Sequence, residues 1–489
     1  MINRSTQPLS IAPMKSCADT SKMLVRVIVI ILCWMACSVA SFAPIRIPFQ
    51  RRSGQDVNIP NTLNFRAIRP SRNEKQLQMT EEKEEGSVVG AALLFAGTAV
   101  GAGMLALPAE TAPAGLVPSE TILLLCWAFT YVTSLVTLEA SWFVGQTDEA
   151  GGSGFLSITK KALGPVGEGV CALLFWFLLS AIIVAYTSEG GELVVQAVLD
   201  FSKAQISPVV GCTAFMAFFG SLAVSGTQRL DLMNRVLVAG FLGAFLGLAG
   251  IGLPEIDLGL LSRADWGAVY PTCISVGILS FGAQNVVPTL LQYLGGDPIR
   301  TRRAVLVGSL IPLVMYTIWE AVFLGNVPWD ADAIGNKMEV VTAFGDTGGP
   351  IVKDMVEVFS ACAIGSSMAG ASVSLVDFFQ DAISTLEKDE AATGLTKRLL
   401  AAALALGPPL GLACAFPNAF LSALENAGLI GGVSLYGLLP ALSVINLREY
   451  GEAMPGRLSG GTITLYAIIS ISAALVLPEL VRLAGGIFW

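Results

Sequence analysis

Histidine is absent from the 489-residue chain, and its absence excludes several kinds of site at once. Without an imidazole the protein cannot build a His-ligated zinc or haem site, a Ser-His-Asp or Cys-His catalytic pair, or a histidine proton relay. Charged residues are also scarce: they make up 13% of the chain, against about 25% in soluble domains. Because 54% of the residues are hydrophobic, most of the surface must contact lipid.

Other missing features narrow the class of protein further. The net charge is −8, with no basic face to neutralise phosphates, so nucleic acid is not an expected partner. The nine cysteines are scattered without a CxxC pair, which indicates core residues rather than a disulfide or metal framework. No GxxxxGK[ST] motif supports ATP-driven pumping. We expect no cofactor.

The first 86 residues have the composition of a targeting sequence. Residues 1–41 contain an apolar stretch, Val27–Val39, that follows a basic start and ends in small residues, as in a signal peptide. Residues 42–86 begin rich in arginine and poor in acids, which is typical of a transit peptide. The junction Val39–Pro44 resembles the Ala-Phe-Ala-Pro motif of bipartite presequences in algae with red-lineage secondary plastids. This order predicts a plastid envelope protein; the alternative is a signal anchor with a linker, in a plasma or endomembrane.

Residues 87–489 predict a single all-α membrane domain. A spanning helix needs about 20 apolar residues, and eleven segments of this kind follow one another closely. They start near Ser87, Ser119, Pro165, Ser207, Leu232, Val269, Thr301, Lys353, Thr396, Ala419 and Thr462. Lysine and arginine concentrate at the ends of the even-numbered segments, so this basic side is expected to face the compartment from which insertion began.

Two of the segments contain helix-breaking residues. Three glycines and a proline fall within Gly97–Pro108 of the first, and Ser280–Pro288 interrupts the sixth. Interrupted helices are tolerated in lipid only where protein or a polar cavity surrounds them. Breaks at matching places in two five-helix halves indicate a transporter with inverted repeats. The alternative is that the glycines, such as Gly97 and Gly101 four residues apart, serve close helix packing.

At these motifs the chain resembles the aromatic amino acid permeases, the tryptophan/tyrosine permeases of the amino acid/polyamine/organocation superfamily. The segments that carry the resemblance are Gly97–Pro108, Ala112–Gly115, Asn285–Pro288, Tyr293–Asp297 with Arg302, Gly308–Pro312 leading to Trp319 and Glu320, and Phe359–Phe379. The resemblance covers residues 87–489. It implies about 11 transmembrane helices, a five-plus-five inverted-repeat core with discontinuous helices 1 and 6, and import of tryptophan or tyrosine with protons.

One departure from the family pattern bears on the mechanism. Bacterial members carry a histidine in the sixth-segment break, where this chain has Gln284 or Asn285. An amide does not titrate near neutral pH. Any proton coupling must therefore use a carboxylate.

A zwitterionic amino acid needs donors for its carboxylate and acceptors for its ammonium. Backbone N–H groups at the first break suit the carboxylate, carbonyls at both breaks suit the ammonium, two amides can do either, and aromatic rings can wall the side chain. The candidate donors to the carboxylate are Gly101, Ala102 and Gly103, and the candidate acceptors for the ammonium are Thr98 and Ser280–Phe281. The two amides are Gln284 and Asn285, and the aromatic residues are Phe281, Tyr186 and Trp176. For each aromatic residue the alternative is ordinary core or lipid-facing packing.

Ionisable groups at membrane depth are the candidates for ion coupling. Glu320 lies within an apolar run far from either loop and is the first candidate for the proton, with Glu189 second. Glu139, Glu189 and Asp377 lie nearer segment ends, where a solvated or capping role is an alternative.

Two adjacent hydroxyls in the eighth segment raise a sodium alternative. In related inverted-repeat symporters, hydroxyls placed like Ser366 and Ser367 join first-helix carbonyls around Na⁺. Such residues also commonly bond their own backbone.

We therefore predict a secondary active transporter of aromatic amino acids, proton-coupled, and not an enzyme. The alternatives are a sodium-coupled or broader neutral amino acid transporter. A membrane-embedded enzyme or a channel belongs to a different class. An enzyme needs a nucleophile-base pair or a metal cluster at one depth in the membrane. A channel needs rings of carbonyls or charges around a pore.

Overall fold

The computed structural model describes residues 86–101, 103–145, 154–225, 227–329, 344–345, 348–386, 394–416, 420–448 and 454–485. The predicted signal peptide and nearly all of the predicted transit segment lie outside these residues, as does Ala102. All regular secondary structure in the described part is helical.

The described chain contains fifteen α-helices, one π-helix and three short 3₁₀ helices. The first eight α-helices are α1 (Val88–Ala99), α2 (Gly103–Thr111), α3 (Leu116–Gly145), α4 (Phe155–Ser202), α5 (Pro208–Ser225), α6 (Thr227–Gly252), α7 (Leu258–Leu261) and α8 (Thr272–Ser280). The remaining α-helices and the π-helix are α9 (Val287–Tyr293), α10 (Pro298–Asn326), α11 (Pro350–Leu386), α12 (Gly394–Ala415), α13 (Phe420–Asn426), the π-helix (Ala427–Leu438), α14 (Leu439–Leu447) and α15 (Gly461–Gly485).

Ten helical stretches of the described residues are long and apolar enough to cross a membrane, and the bent pair α1–α2 makes up to eleven. The prediction of an all-α membrane protein with about eleven spans is confirmed. The stretches from Thr272 to Tyr293 and from Phe420 to Leu447 each join several shorter helices into one span. Numbered along the chain, α1–α2 form the first span, α8–α9 the sixth, and α13, the π-helix and α14 the tenth.

Both predicted helix breaks are present. α1 ends where Val100 adopts an extended conformation, and α2 resumes at an angle of 54° to α1. α8 ends at Ser280, and a single 3₁₀ turn, Gln284–Val286, leads into α9. Pro288 stands in the first turn of α9, where a missing N–H costs no helical hydrogen bond. Glycine weakens the helix at the first break, and proline marks the place where the helix begins again after the second break.

The third span is longer than a bilayer requires because it includes a kinked entry segment. α4 runs for 48 residues, but Gly164 at φ 73° interrupts its helical backbone. Only glycine adopts such a conformation without strain. The membrane-crossing part therefore begins at Pro165, where the sequence places the start of the third segment.

The helix packing repeats with an interval of five spans. The first span packs on the seventh through α1 and α10, and the sixth packs on the second through α8 and α9 against α3. The third packs on the fourth as the eighth packs on the ninth, through α4–α5 and α11–α12. The third also packs on the tenth as the eighth packs on the fifth. Each of these contacts thus has a counterpart five spans away.

The tenth span is the most enclosed of the candidate spans that the structure describes. Its middle is the π-helix, in which nearly every residue is buried. Gly428 allows this span to touch the backbone of Ser275 in α8, where a Cβ atom would collide with the Ser275 carbonyl. π-Helical turns are rare and concentrate where packing or function requires them.

Candidate functional site

The two helix breaks lie against each other at Gly103 and Ser280. A Cβ atom added to Gly103 would lie 2.7 Å from Ser280 Oγ and 3.2 Å from Ser280 Cα. Because Gly103 has no side chain, its backbone at the start of α2 can approach the backbone of Ser280 at the end of α8. Ser280 Oγ is buried and has no hydrogen-bond partner among the described residues.

Tyr316 of α10 joins the two breaks. Its hydroxyl lies 3.0 Å from the carbonyl oxygen of Ala99, the last residue of α1, and 2.9 Å from that of Ser280, the last residue of α8. The side chain is fully buried, and its ring meets Phe281 edge to face with centroids 5.2 Å apart. One hydroxyl thus contacts the last carbonyl of each interrupted helix. Sequence reasoning missed Tyr316; the available signal was a polar-tipped aromatic within an apolar span.

A second junction brings three predicted residues together. A Cβ atom on Gly101 would lie 2.5 Å from Ser367 Oγ in α11. The Ser367 hydroxyl is in turn hydrogen-bonded to Tyr186 of α4, which is buried. Ser366, its neighbour, donates to the carbonyl of Ala363 in its own helix at 3.1 Å. Of the two predicted hydroxyls, only Ser367 is observed against the first break.

The polar residues of the breaks have different environments. Gln284 is fully buried, and its Nε2 donates to Thr133 Oγ1 at 3.1 Å and to the carbonyl of Thr130. Its Oε1 has no partner among the described residues. Asn285 and Thr98 are exposed, and Thr98 donates to the carbonyl of its own helix at Leu94. Gln284 therefore braces the sixth span against α3.

Two further predicted residues, Trp176 and Glu189, lie on α4 with Tyr186. Trp176 is half-buried and packs against the main apolar core. Glu189 is half-buried on α4, three residues beyond Tyr186.

Glu320 is fully buried in α10 and contacts the other end of α2. Thr111, the last residue of α2, donates to Glu320 Oε2 through its hydroxyl. The second carboxylate oxygen, Oε1, has no hydrogen-bond partner among the described residues. Glu120 lies nearby on α3 and accepts a hydrogen bond of 2.8 Å from Thr317. Glu320 is thus a membrane-embedded carboxylate joined to one half of a broken helix.

The remaining predicted carboxylates form ion pairs. A solvated role for Glu139 is wrong: its side chain is 1% exposed and receives two 2.7 Å hydrogen bonds from Arg448. The sequence did not bring these residues together because they are 309 positions apart. Asp377 lies 3.3 Å from Arg398 and is about half exposed. No group of three potential metal ligands occurs in the described part of the chain.

Gly103→Ala is expected to reduce transport at least about tenfold, because the added methyl group forces the two breaks apart by about an ångström or strains Ser280. Gly97→Ala is the matched control, since a Cβ atom at Gly97 meets nothing within 4 Å. Initial uptake rates in liposomes, normalised to inserted protein, give the comparison. Equal rates for the two variants would contradict a close contact at Gly103.

Eleven spans, two of them interrupted and joined at a buried polar junction, define a polytopic membrane transporter. The sequence profile described as the tryptophan/tyrosine permease family matches residues 84–478. The chain belongs to this family.

Three similar proteins illustrate its relatives. The tyrosine-specific transport system 1 of Haemophilus influenzae is 29% identical over 404 residues, covering 81% of this chain and 97% of that protein. A tryptophan-specific transport protein of the same organism is 28% identical, with coverage of 81% and 97%. The glutamine transporter 2 of Aliivibrio fischeri is 28% identical, with coverage of 74% and 89%.

Proposed function

We propose that the protein is a proton-coupled secondary transporter of aromatic amino acids. The observation that carries the proposal is the junction of the two helix breaks, where Tyr316 contacts the Ala99 and Ser280 carbonyls beside Gly103. Two relatives are named for tyrosine and tryptophan transport, which supports the substrate class.

The junction offers complementary groups to a zwitterion. The N-terminus of α2, at Gly103, supplies backbone N–H groups and the positive end of a helix dipole for a carboxylate. The Ala99 and Ser280 carbonyls each have a second lone pair with which to accept from an ammonium. Phe281, in the same break, supplies an aromatic wall beside these groups.

An inverted repeat accounts for the packing described above. Consecutive spans cross the membrane in alternate directions, so spans five positions apart run oppositely. The paired contacts, first on seventh with sixth on second and third on tenth with eighth on fifth, support two inverted halves. The halves correspond to the first five spans and to the sixth through tenth spans.

Glu320 is the proposed proton carrier. It is buried at membrane depth and contacts α2, so a change in its charge acts directly on a broken helix. A sodium site is the second candidate, favoured by the contact of Ser367 with Gly101 at the first break. One relative is named for glutamine transport, so the alternative specificity is a broader range of neutral amino acids.

The proposed location is the plastid envelope. The order of apolar segment, small-residue junction and arginine-rich segment in residues 1–86 supports it. Imaging a fusion of residues 1–80 to a fluorescent protein tests this location, and labelling confined to the secretory pathway would contradict it.

Counterflow in liposomes tests the substrate class. Vesicles preloaded with unlabelled tryptophan, tyrosine, phenylalanine or glutamine are diluted into labelled tryptophan, and the transient accumulation of label is followed. We expect saturable counterflow with the three aromatic amino acids and little with glutamine. Equal counterflow with glutamine would replace the aromatic substrate by a broader neutral one, and the absence of saturable exchange would contradict a transporter of amino acids.

A further inference from the structure

We propose that Thr111 is the positioning residue that transmits the protonation of Glu320 to the half-helix α2. This inference rests on the proposed function, in which Glu320 carries the proton, and adds how α2 responds to it. Thr111 ends α2, Glu320 lies in the second half of α10, and the two are 209 positions apart in the chain. Both side chains are buried, and α2 packs directly on α10.

The Thr111 hydroxyl lies between two oxygens that can accept from it. One is the carbonyl of Leu107, at 2.8 Å within α2, and the other is Glu320 Oε2. A hydroxyl carries one proton and donates it once at full strength. The Leu107 carbonyl can only accept, so it takes the proton of the Thr111 hydroxyl. The contact between Thr111 and Glu320 is then a hydrogen bond only if Glu320 supplies a proton of its own. In the neutral form Glu320 can donate to Thr111 while Thr111 donates to the Leu107 carbonyl, whereas in the ionised form the single Thr111 proton can serve only one of the two acceptors.

Loss of the proton reverses the first of these bonds. Thr111 then donates to the carboxylate, because a hydrogen bond to a charged acceptor is the stronger one, and the Leu107 carbonyl loses its side-chain donor. Glu320 Oε1 has no partner in the described residues, so the charged group keeps only one hydrogen bond in a buried place. A buried charge with so few partners is costly. Ionised Glu320 therefore favours separation of α2 from α10 and entry of water, and neutral Glu320 favours the observed contact.

The titratable neighbours of Glu320 come from the helices packed around it. Glu110 precedes Thr111 on α2, Glu120 lies on α3, and the Cys273 thiol lies on α8. Thr317, the donor to Glu120, is one turn before Glu320 on the same helix. These acidic groups oppose an additional negative charge beside them.

Arg263, a cation at the end of α2, is already hydrogen-bonded to backbone. Arg263 donates to the carbonyls of Ala112 and Pro113, directly after Thr111. It fixes the turn that follows α2, so that Thr111 is held at a defined place relative to α10.

The test compares two substitutions of Thr111 in the full chain reconstituted in liposomes. Thr111→Val keeps the shape and removes the hydroxyl, whereas Thr111→Ser keeps the hydroxyl. We expect Thr111→Val to move the midpoint of the pH profile of uptake upward by about one pH unit, because the ionised form loses its stronger hydrogen bond. Thr111→Ser should retain the wild-type midpoint. If valine prevents folding, Thr111→Ala takes its place, since it removes the hydroxyl without adding bulk.

Thr121→Val is the matched control, because the exposed Thr121 hydroxyl donates only to the carbonyl of Val117 in its own helix. Its pH profile should equal that of the wild type. In a Glu320→Gln background, Thr111→Val should cause no further shift. A wild-type midpoint in Thr111→Val, or the same shift in Thr121→Val, would overturn the role of Thr111 but not the role of Glu320 as the proton carrier. If Glu320→Gln itself leaves proton coupling unchanged, the proposed proton carrier is overturned and this inference with it.

Discussion

Glu320→Gln is expected to abolish accumulation driven by a pH gradient, while exchange of substrate across the membrane still occurs. The reason is that glutamine resembles the neutral acid in shape and hydrogen bonding but never gains or loses a proton. The glutamine amide can donate to the Thr111 hydroxyl as the neutral acid does, so the contact between α2 and α10 persists. We therefore expect the variant to keep the junction of the two breaks and to lose the proposed proton coupling.

The size of the effect follows from the gradient. A difference of one pH unit stores about 1.4 kcal/mol per proton and drives about tenfold accumulation of substrate at one proton per molecule. We expect that ratio to fall to about one in Glu320→Gln, measured as internal over external labelled tryptophan at steady state with the membrane potential clamped. Glu168→Gln, at a partly exposed ion pair with Lys160, is the control and should accumulate normally. Full accumulation by Glu320→Gln would remove Glu320 from the coupling mechanism.

Breaking the buried ion pair between Glu139 and Arg448 should cause the largest loss of stability. The Arg448 guanidinium donates two 2.7 Å hydrogen bonds to the Glu139 carboxylate. The Glu139 side chain is 1% exposed and the Arg448 side chain is 12% exposed. Removing one partner leaves the other charged and buried, which costs about 3–5 kcal/mol. The pair also ties α3 to the end of α14, so we expect its loss to loosen the tenth span at that end.

Thermal unfolding of purified variants in detergent measures this cost. Glu139→Ala should lower the melting temperature markedly, whereas Lys160→Ala breaks an exposed pair worth about 0–1 kcal/mol and should change it little. The double variant Glu139→Met/Arg448→Met replaces both charges by apolar groups and should recover much of the loss. Equal melting temperatures for Glu139→Ala and Lys160→Ala would show that the buried pair adds no stability.

Hydropathy and helix-breaking residues made much of the fold predictable from the chain. Each spanning helix satisfies its own backbone in lipid, so a run of about 20 apolar residues is sufficient to predict it. The breaks were equally local, since Gly97–Gly103 and Pro288 act on the backbone beside them. The π-helix at Ala427–Leu438 was not predictable in this way, because its glycines fit the backbone of another helix.

The candidate site was predictable only in part, because the identity of a residue does not specify its distant partner. Absent histidine and a carboxylate inside an apolar run pointed to Glu320 without any contact being known. The partner of Glu139 and the position of Tyr316 between two carbonyls depend on residues far apart in the chain.

The sequence by itself determined the class of protein, the number of spans, the places where helices are interrupted and the restriction of any proton coupling to a carboxylate. These follow from composition and from residues that act within one helical turn. Only the tertiary structure decided that Gly103 meets Ser280, that Tyr316 contacts both breaks and that Thr111 reaches Glu320. The reason is physical: in lipid each helix forms independently, and the polar contacts between helices arise only when the packed bundle brings distant segments together.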